Sequence, residues 1–558
     1  MKRLWLVGMP ENYNPCKDIL LGPWCILGNE EKYQNINEIN FEPDPFSSFK
    51  EMKQSADMTS NFAEYYLKIL VDHLNKENNI NYSVRSWRIF LMPWLLSLVQ
   101  ITFIKQKLIN NVISKYKNEN VFVKLLDDNI QWDFIDSMDF LKNGIQDIHF
   151  NHWIFSRLLE KVAPDHWKFE YTKVNYKKII NNKSKETLKT KMKMEIDRFL
   201  PIFSVEGIGI TDALLFEAII FIKSLTKNKI NNSLQNNEKS EIKWNLNWES
   251  LVSKIHPKSL NNISDYKNME PKRKNLLIIS FSSLYHNDMK RGGLCLSLEK
   301  GSKLVATQHG GCYGTHLVHS RPAAIEYQSD SFISWGWEKT SYSGNNIIPA
   351  SSPLLSKKVY KQNSNKLIFV NSSFELFQKR IDSSRQPNQQ IHAREDIVNF
   401  FNHLEDEICV ESLFRPFHYG SPSLDDKDYI KRKFPYINFI TGDLHDELMK
   451  CKLLVLNAPN TTFNIAMSLN IPTISIWSSK HWEFDEIAKP YFDNLSKQGI
   501  IYSDAAPAAN KINEIWNNLN DWWLQPQLQK ARIDWSYQYS RRSKHWRKEW
   551  IKAIWDSK

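Results

Sequence analysis

Glycine is scarce in this chain, 17 in 558 residues, and cysteine scarcer, with six. Cys16, Cys25, Cys295, Cys312, Cys409 and Cys451 are scattered and form no CxxC pair, which excludes a disulfide framework. A bilayer-length apolar run is lacking as well. The most apolar stretch, Ile89 to Ile104, is too short and carries Pro93, Ser97, Gln100 and Thr102. It is read as a buried helix with a proline near its start, an interfacial role being the alternative. The opening MKRLWLVGMPENYN has a basic start but only a short apolar stretch, so a first strand over Leu4 to Val7 is expected rather than a signal peptide. Zinc-finger spacing, RNP-type signatures and aromatic-interleaved basic stripes are missing, so nucleic acid is not the expected partner. No DxD flanked by apolar residues occurs, since Asp425 to Asp428 (DDKD) sits in a polar stretch. A metal-dependent sugar-nucleotide site is therefore not expected, and neither metal nor cofactor is assigned.

What is present is a globular composition: 42% hydrophobic, 13% aromatic, with twenty tryptophans. The length calls for several domains or two large ones. Lys and Arg exceed Asp and Glu by 73 − 62 = 11. That surplus suits anionic partners, such as a phosphorylated substrate or an anionic membrane, or else marks solvated Lys/Asn-rich faces.

Residues 1 to about 270 mix strands (RLWLVGM, NVFVKLL) with helical stretches such as SNFAEYYLKILVDHLNK. Residues 140 to 225 read as mostly helical, and the polar, aperiodic 226 to 246 as a surface loop. From residue 275 the pattern sharpens. NLLIISFSS, KLVATQHGG and SDSFISWGW are strands, the first with the continuous apolar run of a covered parallel strand. A second alternation starts at NSNKLIFVNSS (363 to 373) and runs through to GIIYSD and AANKINEIWNNLN. The expected fold is α/β, with two Rossmann-like domains facing a cleft and helical insertions in the N-terminal half. The expected boundaries are 1–345 for the acceptor-side domain, 346–364 for a linker and 365–525 for the nucleotide-sugar domain. Residues 526–558 are expected to form a helix packing back on the first domain.

Ligands in such folds bind where strand C-termini face the cleft, and three unusual segments fall there. In ATQHGGCYGTH, three glycines and two histidines follow a strand. Glycines let backbone N–H groups approach a ligand, and a histidine near its ordinary pKa can bind phosphate or take a proton. Gln308, His309, Gly310, Gly311 and Tyr313 are the candidates, the bland reading being a glycine turn with a structural histidine. The ligand types of His309, Cys312, His316 and His319 would also suit zinc, but all lie in one short segment. In LFRPFHYG a strand delivers Arg415 and His418, and an arginine forks onto phosphate. In NAPNTTFNIAMSLNIPTI, Asn460, Thr461 and Thr462 open a helix. They either simply cap it or present its N-terminus to a phosphate. For a base on an acceptor hydroxyl the candidates are Asp127, Asp128, Asp133, Asp136 and His152, each of which is equally readable as a solvated acid or packed histidine. Asp133 is the one assigned.

Taken together, QHGGCYG, RPFH, NTTFNIAMSLNIPTI, LLGPWCI (20 to 26), RSWRIFLMPWL (85 to 95) and FISWGW (332 to 337) resemble the leptospiral-type family of O-antigen transferases. Through it the chain is similar to GT-B glycosyltransferases, and more distantly to bacterial Kdo and sialyl transferases and CDP-glycerol glycerophosphotransferases. The resemblance implies a nucleotide-activated sugar, CMP-linked by preference, in the interdomain cleft, and a glycan or lipid-linked acceptor from O-antigen or capsule assembly. His309 matches the histidine of the QHG element, and Thr461 and Thr462 the element that holds donor phosphate. A cytoplasmic protein is expected, with the basic, tryptophan-rich tail either bound to the inner face of the membrane or packed on the fold. Alternatives are a CDP-polyol phosphotransferase, a sugar-nucleotide epimerase and a non-catalytic scaffold.

Overall fold

A computed structural model describes residues 1–30, 39–174, 188–225, 242–272, 275–282, 284–342, 344, 346–417, 423–440 and 442–557. Most of the expected surface loop, 226–241, and the candidate His418 lie outside the described residues. Among those described, fourteen strands form three sheets, all parallel.

The first sheet has the order β2-β1-β3-β4, from β1 (Lys2–Trp5), β2 (Asp18–Leu20), β3 (Val121–Leu126) and β4 (Lys168–Thr172). The second runs β5-β6-β7-β8, from β5 (Leu276–Ser280), β6 (Lys303–Thr307), β7 (Ser331–Ser334) and β8 (Asn346–Pro349). Residues 1–345, read from the sequence as one Rossmann-like unit, thus carry one whole four-stranded sheet and three strands of a separate second one, whose edge strand β8 falls in the expected linker. The reason is the helix pair α1 (Phe49–Glu77) and α2 (Val84–Tyr116). Helix α2 packs on helix Ile148–Val162 beside the first sheet and on helix Asp288–Glu299 beside the second, and so stands between them. It is the one described helix long and apolar enough to span a membrane, and its apolar stretch is buried inside the protein.

The third sheet has the order β11-β10-β9-β12-β13-β14, from β9 (Leu367–Val370), β10 (Ser412–Arg415), β11 (Asn438–Phe439), β12 (Leu453–Leu456), β13 (Thr473–Ile476) and β14 (Ile501–Tyr502). Counted within this sheet, that is 3-2-1-4-5-6, with the chain reversing direction across the sheet between β9 and β12. LIFV, LLVL and TISI are buried at every position, as strands covered on both faces must be. The register pairs Val370 with Leu456, so Asn371 and Asn457 emerge side by side at the switch point.

The stretch 346–364 contains β8 and the short helix Pro353–Ser356. The tail is two helices. Pro526–Tyr539 packs on helices Thr461–Leu469 and Lys489–Lys497 of the third unit, and Trp546–Asp556 packs on β8 and on helix Ile210–Leu225. The chain therefore straps the last two units together. Trp535, Trp546 and Trp550 are buried in this strap, and only Trp555 is exposed. The tail's tryptophans are thus mostly packing residues rather than a lipid-facing set.

Candidate active site

The loop after β6 is wedged against the C-terminal ends of β9, β12 and β13. Gly311 N–H donates to the Thr461 hydroxyl (3.0 Å), and Cys312 Sγ lies 3.7 Å from the Pro459 carbonyl oxygen. Further along, Asp485 N–H donates to the Thr315 carbonyl and Ser383 N–H to that of Val318. A Cβ on Gly311 would come within 2.5 Å of the Asn460 backbone, and one on Gly310 within 2.9 Å of the Thr461 hydroxyl. These glycines exist to let two backbones touch across the junction. That revises the expectation that they face a ligand: the N-terminus of helix Thr461–Leu469 is met by this loop. Cys312 takes the left-handed conformation (φ 73°), rare for a residue with a Cβ, at the tightest point of the contact.

Gln308 is likewise revised from ligand contact to anchor. It is buried, its Nε2 donates to the Gly310 carbonyl, and its Oε1 accepts from Trp335 N–H and Trp337 Nε1. Asn460 caps the helix through Thr462 N–H and donates to the Ser372 hydroxyl. Thr461 and Thr462 remain half-exposed at the junction. Behind them a buried network fills the switch point. Asn457 bonds Asn371 and Ser372, Asn371 bonds Asp426, and Arg394 bonds Asp426. The Arg385 guanidinium donates to the Ser372 and Asn457 carbonyls.

His309 has a carboxylate partner that sequence reasoning did not single out. Glu326 is fully buried at the end of the turn Pro322–Glu326, and its Oε2 lies 3.8 Å from His309 Nδ1 with no hydrogen-bond partner among the described residues. Its Oε1 accepts from the Tyr285 and Tyr313 hydroxyls, the latter at 2.8 Å. The Tyr313 hydroxyl also sits 3.0 Å from His309 Nδ1. Tyr313 is therefore a buried bridge in this cluster rather than a ligand contact. Burial pushes the Glu326 carboxyl up to about 8, against the pull of its two tyrosine donors. Burial, helped by the charge of Arg380, pushes the His309 imidazolium down to about 4. At neutral pH the ring is unprotonated, which is the state a proton acceptor needs.

The opposite wall comes from the third unit, in the loop after β9. Arg380 pairs through Nε with Asp382 and keeps about a third of its side chain open. Lys379 pairs with Glu375 (2.6 Å). Burial lowers the pKa of His309 and His319, and the positive charge of Arg380 lowers both further; it also contributes, behind other charges, at His286 and His316. Arg380 is the cation whose charge acts on His309, and it was legible only as one charge among many in FQKRIDSSR.

Two segments quoted above hold this loop in place. In α2, the buried Gln100 Oε1 accepts from Ile381 N–H and the Ser320 hydroxyl, while the Ser97 hydroxyl accepts from Arg321. The polar residues that interrupt the apolar run therefore tie both walls to the core. In GPW, the Trp24 ring lies 5.5 Å from Phe377, and a Cβ on Gly22 would strike that indole.

The remaining candidates are placed elsewhere. Arg415 stands at the end of β10, where its Nη1 donates to the Ile440 and Gly442 carbonyls. Asp133 is half exposed and ion-paired with Lys258 (2.7 Å). Asp128 pairs with Lys254 and Trp153, Asp136 caps a short helix, and His152 Nε2 bonds the Lys124 carbonyl. Local ion-pairing and capping absorb this acid-rich stretch. Among the described residues no three His, Cys, Asp or Glu group around a point that would hold an ion. His316 instead packs edge-on to Trp482 and Phe484, and His319 against Tyr313.

With this geometry in place, comparison with known proteins is informative at the level of family. The family model described as LIC12162 family transferase matches residues 2–554. The chain belongs to this transferase family. No curated protein matches the sequence. Among solved structures it is similar to MurG of Acinetobacter baumannii (10% identity, TM-score 0.30, 53% of this chain and 76% of that one). It is also similar to a mutant O-GlcNAc transferase of Thermobaculum terrenum (8%, 0.32, 89% and 82%) and to Medicago truncatula UGT71G1 complexed with UDP-glucose (9%, 0.26, 83% and 95%). At those scores the overlaps carry no argument. The reading of this LIC12162 family member rests on its own residues.

Proposed function

We propose that the protein is a GT-B-type glycosyltransferase of O-antigen or capsule assembly. It moves a sugar, a nonulosonic acid by preference, from a CMP donor to a glycan or lipid-linked acceptor at the cytoplasmic face of the membrane. The observation that carries the reading is the junction itself: an uncharged His309 backed by Glu326 on one wall, with Arg380 on the other. In the reaction the acceptor hydroxyl attacks the anomeric carbon. Its proton passes to a His309 ring nitrogen, and the carbon–oxygen bond to the nucleotide phosphate breaks with its electron pair on phosphate. Arg380 stabilises that added charge, as a fixed cation in a half-closed site does. Glu326, once ionised, holds the imidazolium.

The test is thermal-shift binding of CMP, CDP, UMP, UDP and GDP, with and without divalent metal, to wild type, Arg380→Ala and Arg415→Ala. A ligand that binds the folded state raises the melting temperature with its concentration. A CMP-selective shift lost in Arg380→Ala supports the proposal. A shift with UDP or GDP replaces the donor class, and no shift with any nucleotide overturns the reading.

A further inference from the structure

Helix Ile210–Leu225 is built inside out. Its inward face carries Asp212, Ala213, Phe216, Glu217 and Ile220. Its outward face carries Ile210, Leu214, Leu215, Phe221, Ile222 and Leu225, each between 43% and 71% exposed. Only Thr211 interrupts the stripe, and Ala218 continues it through the middle. The spacing of four, then three or four, keeps one apolar line facing out along roughly 24 Å of helix. A water-facing helix has the reverse arrangement.

The first acid on the inner face is accommodated by ion pairs. Asp212 is paired with Lys357 and with Arg547, both at 2.7 Å. Arg547 belongs to helix Trp546–Asp556, which lies alongside and runs the same way. Phe216 packs on Trp546 and Trp550, and Lys223 Nζ donates to the carbonyls of Ile554 and Ser557. That second helix exposes Arg547, Lys548, Lys552 and Trp555 against one exposed acid, Asp556. An apolar stripe thus lies beside a basic flank with a tryptophan at one end.

We infer that this pair of helices rests on an anionic lipid surface, with the stripe of Ile210–Leu225 in the headgroup–acyl boundary and the flank of Trp546–Asp556 against the headgroups. Apolar side chains on one face, cations beside them and a tryptophan at the margin are the composition of an in-plane interfacial helix. A second copy of the chain is the poorer occupant, because a two-fold contact sets the same basic flank against itself. The chain that follows, 226–241, supplies only Ile230 and Leu234 as apolar side chains to cover the stripe. The inference is independent of the donor sugar and of the chemistry at His309.

The test is co-flotation of the full chain with vesicles of phosphatidylcholine alone and of phosphatidylcholine containing a third phosphatidylglycerol. The expected result is binding to the anionic vesicles that falls at least tenfold in L214E/F221E and several-fold in K548E/K552E or in high salt. Melting temperature and the nucleotide shift should be unchanged in both variants. Failure of the wild type to bind, or equal binding by L214E/F221E, overturns it. So does a wild-type dimer, seen by ultracentrifugation, that L214E/F221E disperses, since that outcome assigns the stripe to a second copy.

Discussion

The two walls of the junction are made by the same device and hold opposite chemistry. Each is a set of loops at the C-terminal ends of parallel strands. The wall after β5 and β6 buries its groups: Glu326 is inaccessible, and His309, Tyr285 and Tyr313 surround it. Burial disfavours charge, so these groups stay neutral near pH 7 and suit proton transfer. The wall after β9 pairs Lys379 and Arg380 each with a carboxylate, and the charges of Asp382 and Glu375 hold the Arg380 pKa above its ordinary value against burial, a cation suited to a phosphate. Carboxylate partners separate the second wall from the first, since they hold the Arg380 charge against burial while the charge acting on His309 is that of a cation.

Removing His309 attacks the first wall directly. His309→Ala is expected to lower kcat by about a hundredfold to ten-thousandfold, the usual worth of a positioned base, with nucleotide binding by thermal shift preserved. Loss of binding together with rate would mean that His309 is a donor contact instead. Arg380→Ala attacks the second wall, with an expected loss of about a hundredfold to a thousandfold and loss of the nucleotide shift. If its binding were normal, the division between the walls would collapse.

Glu326→Gln sharpens the comparison through pH. In wild type, kcat/KM is expected to rise with pH and level off above about 8, where the carboxyl ionises and can hold the imidazolium. In Glu326→Gln that limb should vanish, with a rate about tenfold lower. Stability moves the other way. A carboxyl whose pKa is raised from 4.5 to about 8 on folding stays protonated in the fold after the unfolded chain has lost its proton. The folded state is therefore progressively less favoured between those values, by a few kcal/mol at most on the order-of-magnitude scale. His309, lowered from 6.5 to about 4, destabilises the fold as pH falls across that interval. Melting temperature against pH in wild type and Glu326→Gln separates the two terms, and an unchanged profile in the variant would place the proton elsewhere.

Gly311→Ala tests the contact that brings the walls together. A methyl 2.5 Å from the Asn460 backbone must push the units apart, for an expected loss of about 1–3 kcal/mol in chemical denaturation. Asp133→Asn should change neither rate nor stability by more than about 0.5 kcal/mol, as for a surface ion pair. A large rate loss there would move the base to the first unit.

The alternation of buried strands and amphipathic helices after residue 275 was legible because parallel strands need apolar residues at every position. His309 was legible because histidine and glycine together after a strand are unusual in a glycine-poor chain. The ion pair of Asp133 with Lys258 was not legible, because an acid-rich stretch carries no mark of whether local lysines and helix ends will absorb it. Glu326 in PAAIEYQ and Arg380 in FQKRIDSSR had no local signature. The polar residues Ser97 and Gln100 interrupt the apolar run, and their task, holding Arg321 and Ile381, is a matter of packing across hundreds of residues.

The α/β class, the strand-end location of the candidate residues and the buried helix follow from the sequence alone, since they depend on local periodicity and on which residues water rejects. The separation of the N-terminal half into two sheets, the meeting of the Gly310–Gly311 loop with the helix at Thr461, and the pairing of His309 with Glu326 opposite Arg380 were decided only by the tertiary structure. Each depends on contacts between segments far apart in the chain, and on a burial that no neighbouring residue reveals.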